Sequence, residues 1–197
     1  MSFFRWTAPI FKLSRHRWSE DDFRVVAEHL RPYVPPGGVL LDLGGGTGDL
    51  GLGVARALGA EVIVADVTPE MLRRVSPHPS ISVRLTAAEA LPFPDGHFDA
   101  LLCSDAFHHF RDQDAAAKQM ARVVRPGGGV LIFEFRRTGF GRFLVFAERL
   151  LGEPGAFKEP LELQRLLARW GIKGAITDEG AITYNFVGCN VGVEEKR

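Results

Sequence analysis

Residues 39–51 read VLLDLGGGTGDLG, an apolar run interrupted at Asp42 and followed at once by Gly44, Gly45, Gly46, Gly48 and Gly51. Glycine carries the largest backbone entropy loss on folding and offers no side chain to pack. Placing such residues directly after a buried strand suits a turn whose free space belongs to a ligand. In an α/β chain a glycine-rich turn between a first strand and its helix brings backbone N–H groups and a helix N-terminus against that ligand. The remaining sequence has to say which ligand this is.

The order of elements supports the α/β reading. Trp18-Ser19-Glu20-Asp21-Asp22 offers an N-cap and an acidic first turn, with Phe23, Val26, Ala27 and Leu30 at helical spacing. Strands are expected at Val39 to Leu43, Glu61 to Ala65, Ile81 to Leu85, Phe98 to Cys103 and Val130 to Phe135. Helices are expected from Leu50 to near Gly59, from the Thr68-Pro69-Glu70 cap, over Asp112 to Val124, Phe140 to Leu151 and Pro160 to Trp170. Ile172 to Thr177 and Ile182 to Val193 are two late strands too closely joined for a parallel crossover, so they form an antiparallel hairpin.

The whole is therefore expected to be one domain over residues 1–197: a Rossmann-like, doubly wound, seven-stranded sheet, mostly parallel, with an antiparallel C-terminal hairpin strand. Residues 1–19 are a candidate lid and 136–170 a helical insertion on the substrate side.

Composition excludes more than it selects. Lys plus Arg and Asp plus Glu number 24 each, so no overall field points to nucleic acid. Cys103 and Cys189 fit no metal spacing, and none is expected. The N-terminus lacks the apolar core of a signal peptide and no run is long enough to span a bilayer, so the default location is cytoplasmic. Two stretches interleave aromatic or apolar residues with bases: residues 1–19, and RRTGFGRFLVFAERLLG from Arg136 to Gly152. Core packing or a pocket wall explains them; peripheral membrane contact is the sharper alternative. Oligomeric state is not legible.

Gly46 to Gly51 formally matches G-x-G-x-x-G, with Asp66 as an acid ending the second strand, as an NAD-type site would require. A P-loop is excluded because no lysine follows the glycines. Against NAD stands Asp42, a carboxylate just ahead of the loop. It would repel a pyrophosphate and suits a ligand bringing an ammonium group instead.

LDLGGGTGDL, VADVTPEML, AEALPFPDGHFDALLCSDAFHHF and RVVRPGGGVLIFEF, taken together and in this order, resemble the class I S-adenosylmethionine-dependent methyltransferases. The resemblance covers roughly residues 20–136 and is nearest in flavour to the ubiquinone/menaquinone C-methyltransferase branch.

It implies that Gly44, Gly46 and Gly48 lie under the methionine part of S-adenosyl-L-methionine, and that Asp42 organises the loop or receives the ammonium group. It also implies that Thr47 offers its hydroxyl to the ligand's carboxylate, that Asp66 takes both ribose hydroxyls, and that Val67 packs on the adenine face. Ser104 would line the methionine end. Where many relatives carry an acid or asparagine for the adenine amino group, this chain has Ala87, leaving backbone at Ala87 and Ala88, or Glu89, to read that edge.

The implied product is S-adenosyl-L-homocysteine, and the partner a small, apolar methyl acceptor such as a quinone ring carbon. Candidate bases follow the fourth strand: Asp105, His108 and His109, the two histidines being indistinguishable by sequence. Glu134 and Tyr184 are lesser candidates at strand ends. An NAD(P)-linked oxidoreductase and a non-catalytic S-adenosylmethionine-binding protein are the competing readings, the latter drawing on the loss at Ala87.

Overall fold

The computed structural model describes residues 18–136, 155–177 and 183–192. The candidate lid up to residue 17 and the expected helix Phe140 to Leu151 lie outside the described residues.

Helix α1 (Glu20–Leu30) begins at Ser19, whose hydroxyl accepts from the Asp22 amide while the Asp22 side chain accepts from the Ser19 amide. This reciprocal cap meets two backbone donors that a helix N-terminus otherwise leaves unmet. Strand β1 (Val39–Leu43) leads through the glycine turn into α2 (Asp49–Leu58), which ends on Gly59 in left-handed conformation. Then follow β2 (Glu61–Asp66), a four-residue helix α3 (Pro69–Leu72) and β3 (Ile81–Leu85). Next come β4 (Phe98–Ser104), a 3-10 turn at Phe107–His109 and α4 (Gln113–Val123), capped by Asp112. The chain continues through β5 (Val124–Phe135), α5 (Pro160–Arg169), β6 (Ile172–Thr177) and β7 (Thr183–Asn190).

The seven strands lie in the order β3-β2-β1-β4-β5-β7-β6. All neighbours are parallel except β5 with β7 and β6 with β7. The hairpin expected from the short connection is therefore present, and the sheet reverses its strand order between β1 and β4.

Side chains of the central strands alternate between two cores, as the two-residue period requires. Leu41, Leu43, Leu101, Cys103, Val130 and Ile132 face α4 and α5, joined by Ala116, Met120, Leu163 and Leu167. Leu40, Ala100, Leu102 and Leu131 face α1 and α2, joined by Val26, Leu30, Val54 and Leu58. Cys103 is a core residue, fully buried.

Two expectations need amendment. The fifth strand starts at Val124, not Val130, because Val124 pairs with Phe98 before a register shift lets Gly129 pair with Ala100. The Arg125-Pro-Gly-Gly-Gly segment thus rides within the strand as an irregularity. Thr68 occupies the N-cap position of α3 but makes no side-chain capping bond; its amide instead donates to Asp66 Oδ1 at 2.7 Å.

Candidate active site

The crevice at the reversal between β1 and β4 is where open parallel sheets bind ligands, at the carboxyl ends of the strands. Beyond β1 the Gly44 amide continues the ladder by donating to the Ala65 carbonyl at 2.7 Å. Gly44, Gly46 and Gly48 then all adopt positive φ, at +73°, +57° and +72°, a region costly for residues with a Cβ.

What a Cβ would meet differs among the three. At Gly44 it would strike Ala106, and at Gly48 it would crowd Val64 and Ile81 at 3.0 and 3.1 Å. Only at Gly46 would it enter space free of protein atoms within 4 Å. Conformation thus favours glycine at all three, close packing requires it at Gly44 and Gly48, and of the three Gly46 alone faces room free of the described residues.

Asp42 is buried, and Cβ atoms on Gly45 or Gly51 would collide with its carboxylate, so those two glycines exist to let it lie between loop and helix. Among the described residues its Oδ2 has no hydrogen-bond partner. Burial, reinforced by the charges of Asp66 and Asp49, pushes its pKa up to about 7, with the Gly51 amide offsetting only part. Of the two roles expected for Asp42, organising the loop is the one this packing favours. The Thr47 hydroxyl, expected to face a ligand carboxylate, donates to Asp49 Oδ2 at 2.8 Å.

Asp66 ends β2 half-buried beside the loop. Its Oδ2 accepts from the Gly46 amide at 3.0 Å and its Oδ1 from the Thr68 amide at 2.7 Å. A carboxylate has about four lone-pair directions, so this fixed geometry retains capacity for further donors such as ribose hydroxyls. Next to it Val67 is 69% exposed, unusual for valine and apt for an aromatic face.

The Ala87 segment is held by Thr86, whose hydroxyl donates to Ala90 O at 3.0 Å, and by the Ala90 amide donating to Ala87 O. Ala88 is buried, and Glu89 Oε1 accepts from the Asp112 amide at 3.1 Å. Glu89 thereby serves α4, which leaves it a weaker claim on a ligand. The Gly46 position, the anchored Asp66 and the exposed Val67 thus follow one another along the edge of the crevice.

Across the reversal, Ser104 closes β4, half-buried and paired with Phe133. Asp105 follows at φ +52°, the one non-glycine with positive φ among the described residues. Aspartate tolerates this conformation better than most residues, yet it remains strained, a condition that gathers at functional sites.

The two histidines, alike in sequence, part here. His108 is buried, its Nδ1 2.8 Å from Glu134 Oε2, its amide donating to Glu134 Oε1 at 3.3 Å, and its ring stacked on Phe157 at 4.0 Å. His108 Nε2 stands 4.0 Å from Asp105 Oδ1, whose side chain is 49% exposed. Burial lowers the His108 pKa to about 4, against the raising influence of Asp105. His109 lies beside it, ring centroids 4.0 Å apart, and is lowered to about 3 by burial and then by His108.

Burial raises Glu134 to about 8 despite backbone N–H groups of residues 106–108 and 135 that favour its charge. The Tyr184 hydroxyl donates to Lys158 O at 2.9 Å, and burial drives its pKa upward, so Tyr184 is a core residue and a poor base. The pairing of Glu134 with a histidine 26 residues away had no sequence signal beyond an acid inside the apolar run VLIFEF, which could not stay buried without a partner.

Residues 40–128 match the family described as "Methyltransferase domain". Among curated relatives, the demethylmenaquinone methyltransferase of Thermus thermophilus is 44% identical over 122 residues, covering 57% of this chain and 56% of that protein. The ubiquinone/menaquinone biosynthesis C-methyltransferase UbiE of a Shewanella species is 40% identical over 111 residues, 52% of this chain and 44% of that protein. The chain spans about half the length of the curated relatives it matches. A chain from the complex between the Haloferax volcanii Trm112 methyltransferase activator and the putative methyltransferase superposes with a TM-score of 0.78, covering 96% of this chain and 97% of that one. At 17% identity this is a likeness of fold.

Residues 40–128 thus carry a similarity to methyltransferase domains, and the sheet order and glycine turn are those of a Rossmann-like fold. Of the relatives named above, one is named a demethylmenaquinone methyltransferase and the other a ubiquinone/menaquinone biosynthesis C-methyltransferase.

Proposed function

We propose that this protein transfers a methyl group from S-adenosyl-L-methionine to a small, apolar acceptor, with a quinol ring carbon as the favoured class. The observation that carries the reading is the link between Asp66 and Gly46: the strand-end carboxylate is hydrogen-bonded to the one loop glycine facing open space. A nucleoside lying there meets backbone under its methionine half and a carboxylate at its sugar. The bound cofactor supplies an electrophilic methyl carbon on a positively charged sulfur, so the chain's own task is chiefly to hold the acceptor in line. Such positioning is worth roughly 7–11 kcal/mol.

Asp42 supports this choice over a dinucleotide, since a buried acid at the loop disfavours a pyrophosphate. The acceptor class draws on the quinone-modifying relatives and on the apolar residues between Arg136 and Gly152. Among the described residues no helix is long and apolar enough to cross a membrane, and peripheral contact by the basic-aromatic segments stays part of the proposal.

Calorimetry with S-adenosylhomocysteine and NADH, followed by transfer of labelled methyl to 2-prenyl-1,4-naphthoquinol kept reduced, tests the reading. Binding of the first nucleoside and a labelled, extractable product are expected. NADH binding with no response to S-adenosylhomocysteine would replace the reading with an oxidoreductase, and normal binding without transfer to any quinol would remove the acceptor class.

A further inference from the structure

Three ionisable side chains from two stretches of chain, residues 105–108 and the end of β5, converge beside the crevice. Glu134 near the end of β5 and His108 in the 3-10 turn are buried against each other at 2.8 Å. Asp105, strained at the tip of β4, stands 4.0 Å from the far nitrogen of the same imidazole and is half-exposed. A fold that only needed a packed core would avoid burying an acid and an imidazole together, since desolvation opposes the charge of both.

Resting on the reading above, we infer that Asp105, His108 and Glu134 form a proton-accepting array for an acceptor that carries an ionisable O–H conjugated to its nucleophilic carbon. Asp105 is the member that meets the acceptor. His108 and Glu134 act through it, and Phe157 stacked on His108 keeps water from their side.

The raised Glu134 and lowered His108 agree with this arrangement. With two protons the pair is neutral, the Glu134 O–H donating to Nδ1 and Nε2 protonated toward Asp105. With one proton, Glu134 is ionised and accepts from Nδ1–H, which leaves the Nε2 lone pair ready to receive. The acceptor O–H bond breaks and its proton passes by Asp105 to Nε2, while the Nδ1 proton moves to Glu134. The electron pair released into the conjugated system forms the new carbon–methyl bond as the methyl carbon's bond to sulfur breaks, that pair staying on sulfur. The ring C–H proton of the adduct then moves to oxygen, and the proton held by the array leaves to solvent through half-exposed Asp105 as the one net proton that the reaction releases. Other groups facing the pair are His109 beside it, Cys103 on β4 and Tyr184 on β7; burial keeps Cys103 and Tyr184 protonated and His109 neutral at working pH.

The test compares wild type, Glu134→Gln, His108→Asn and Asp105→Asn with the same reduced naphthoquinol, recording kcat/KM against pH and S-adenosylhomocysteine affinity. The wild-type rate should rise through an apparent value near 8. In Glu134→Gln that limb should disappear or move toward the His108 value near 4, with a loss of about a hundredfold at the plateau and unchanged nucleoside affinity. An acceptor already ionised at pH 6 should be methylated nearly equally by all four proteins. Independently of turnover, the protonated-carboxyl infrared component that titrates near pH 8 should be lost in Glu134→Gln, leaving the one that Asp42 contributes near 7. A limb that persists in Glu134→Gln, or equal losses with the pre-ionised acceptor, would overturn the array while leaving methyl transfer intact. Failure of wild type to methylate any quinol would instead remove the acceptor reading, and this inference with it.

Discussion

On the β1–β2 side of the crevice, Asp66 stays half-buried, takes two backbone N–H bonds and keeps lone pairs for a ligand. On the β4–β5 side, Glu134 and His108 are almost fully enclosed and pushed toward their neutral forms. The first side is built to receive hydrogen bonds at fixed places, the second to change protonation. What separates them is solvent: the same carboxylate chemistry serves recognition where water still reaches it and proton storage where water does not. Asp42 belongs by position to the first side and by burial to the second, which is why it supports the loop rather than reaching into the crevice.

Substitutions can break this contrast, and the largest effect should come at the recognition side. Asp66→Ala removes a carboxylate whose bonds to ligand hydroxyls are worth about 1.5–3 kcal/mol each, so S-adenosylhomocysteine should bind at least a hundredfold more weakly by calorimetry. Glu134→Gln should leave that affinity unchanged.

Asp42→Asn comes next, read as stability against pH. With a folded value near 7 and an ordinary value of 3.8, the native state holds more protons than the unfolded state between those limits. Stability therefore falls as pH rises through that window, by about 4 kcal/mol in all. Glu134, raised to about 8, acts in the same direction, whereas His108, lowered to about 4, makes stability rise between its folded value and its ordinary 6.5. Chemical denaturation from pH 4 to 8 should show the Asp42→Asn protein losing less stability than wild type.

Gly46→Ala sharpens the comparison further. Its cost in stability should be only about 1–2 kcal/mol, from positive φ alone, because no atom of the described residues meets the new Cβ. A larger fall in nucleoside affinity would then locate the ligand over that residue. His109→Gln should be mildest, with a loss of about 1 kcal/mol in stability and the same alkaline limb in kcat/KM.

The β1–β2 side was legible as structure in the sequence because local rules govern it. A strand, a glycine turn, a helix start and an acid at the next strand end lie within the 28 residues from Val39 to Asp66, and each leaves a mark in residue type. Even so, the reason for the glycines was only partly legible: Gly45 and Gly51 make room for Asp42, and Gly44 yields to Ala106, contacts that cross the fold.

The proton-handling side depends on tertiary neighbours. His108 and His109 look equivalent until the 3-10 turn at Phe107–His109 aims one ring at Glu134, and nothing near either histidine in sequence announces that acid. The early start of β5 escaped notice for a similar reason, since Pro126 and three glycines read as a stop and only pairing with Phe98 makes Val124 a strand residue. The β6–β7 hairpin was legible because chain length alone forbids the parallel alternative.

Isothermal titration of S-adenosylhomocysteine into wild type and Asp66→Ala, both shown folded by circular dichroism, bears most directly on the central claim. Saturable binding to wild type and at least a hundredfold weakening in the variant are expected. Equal dissociation constants for the two proteins would mean that the sugar is held somewhere other than the tip of β2.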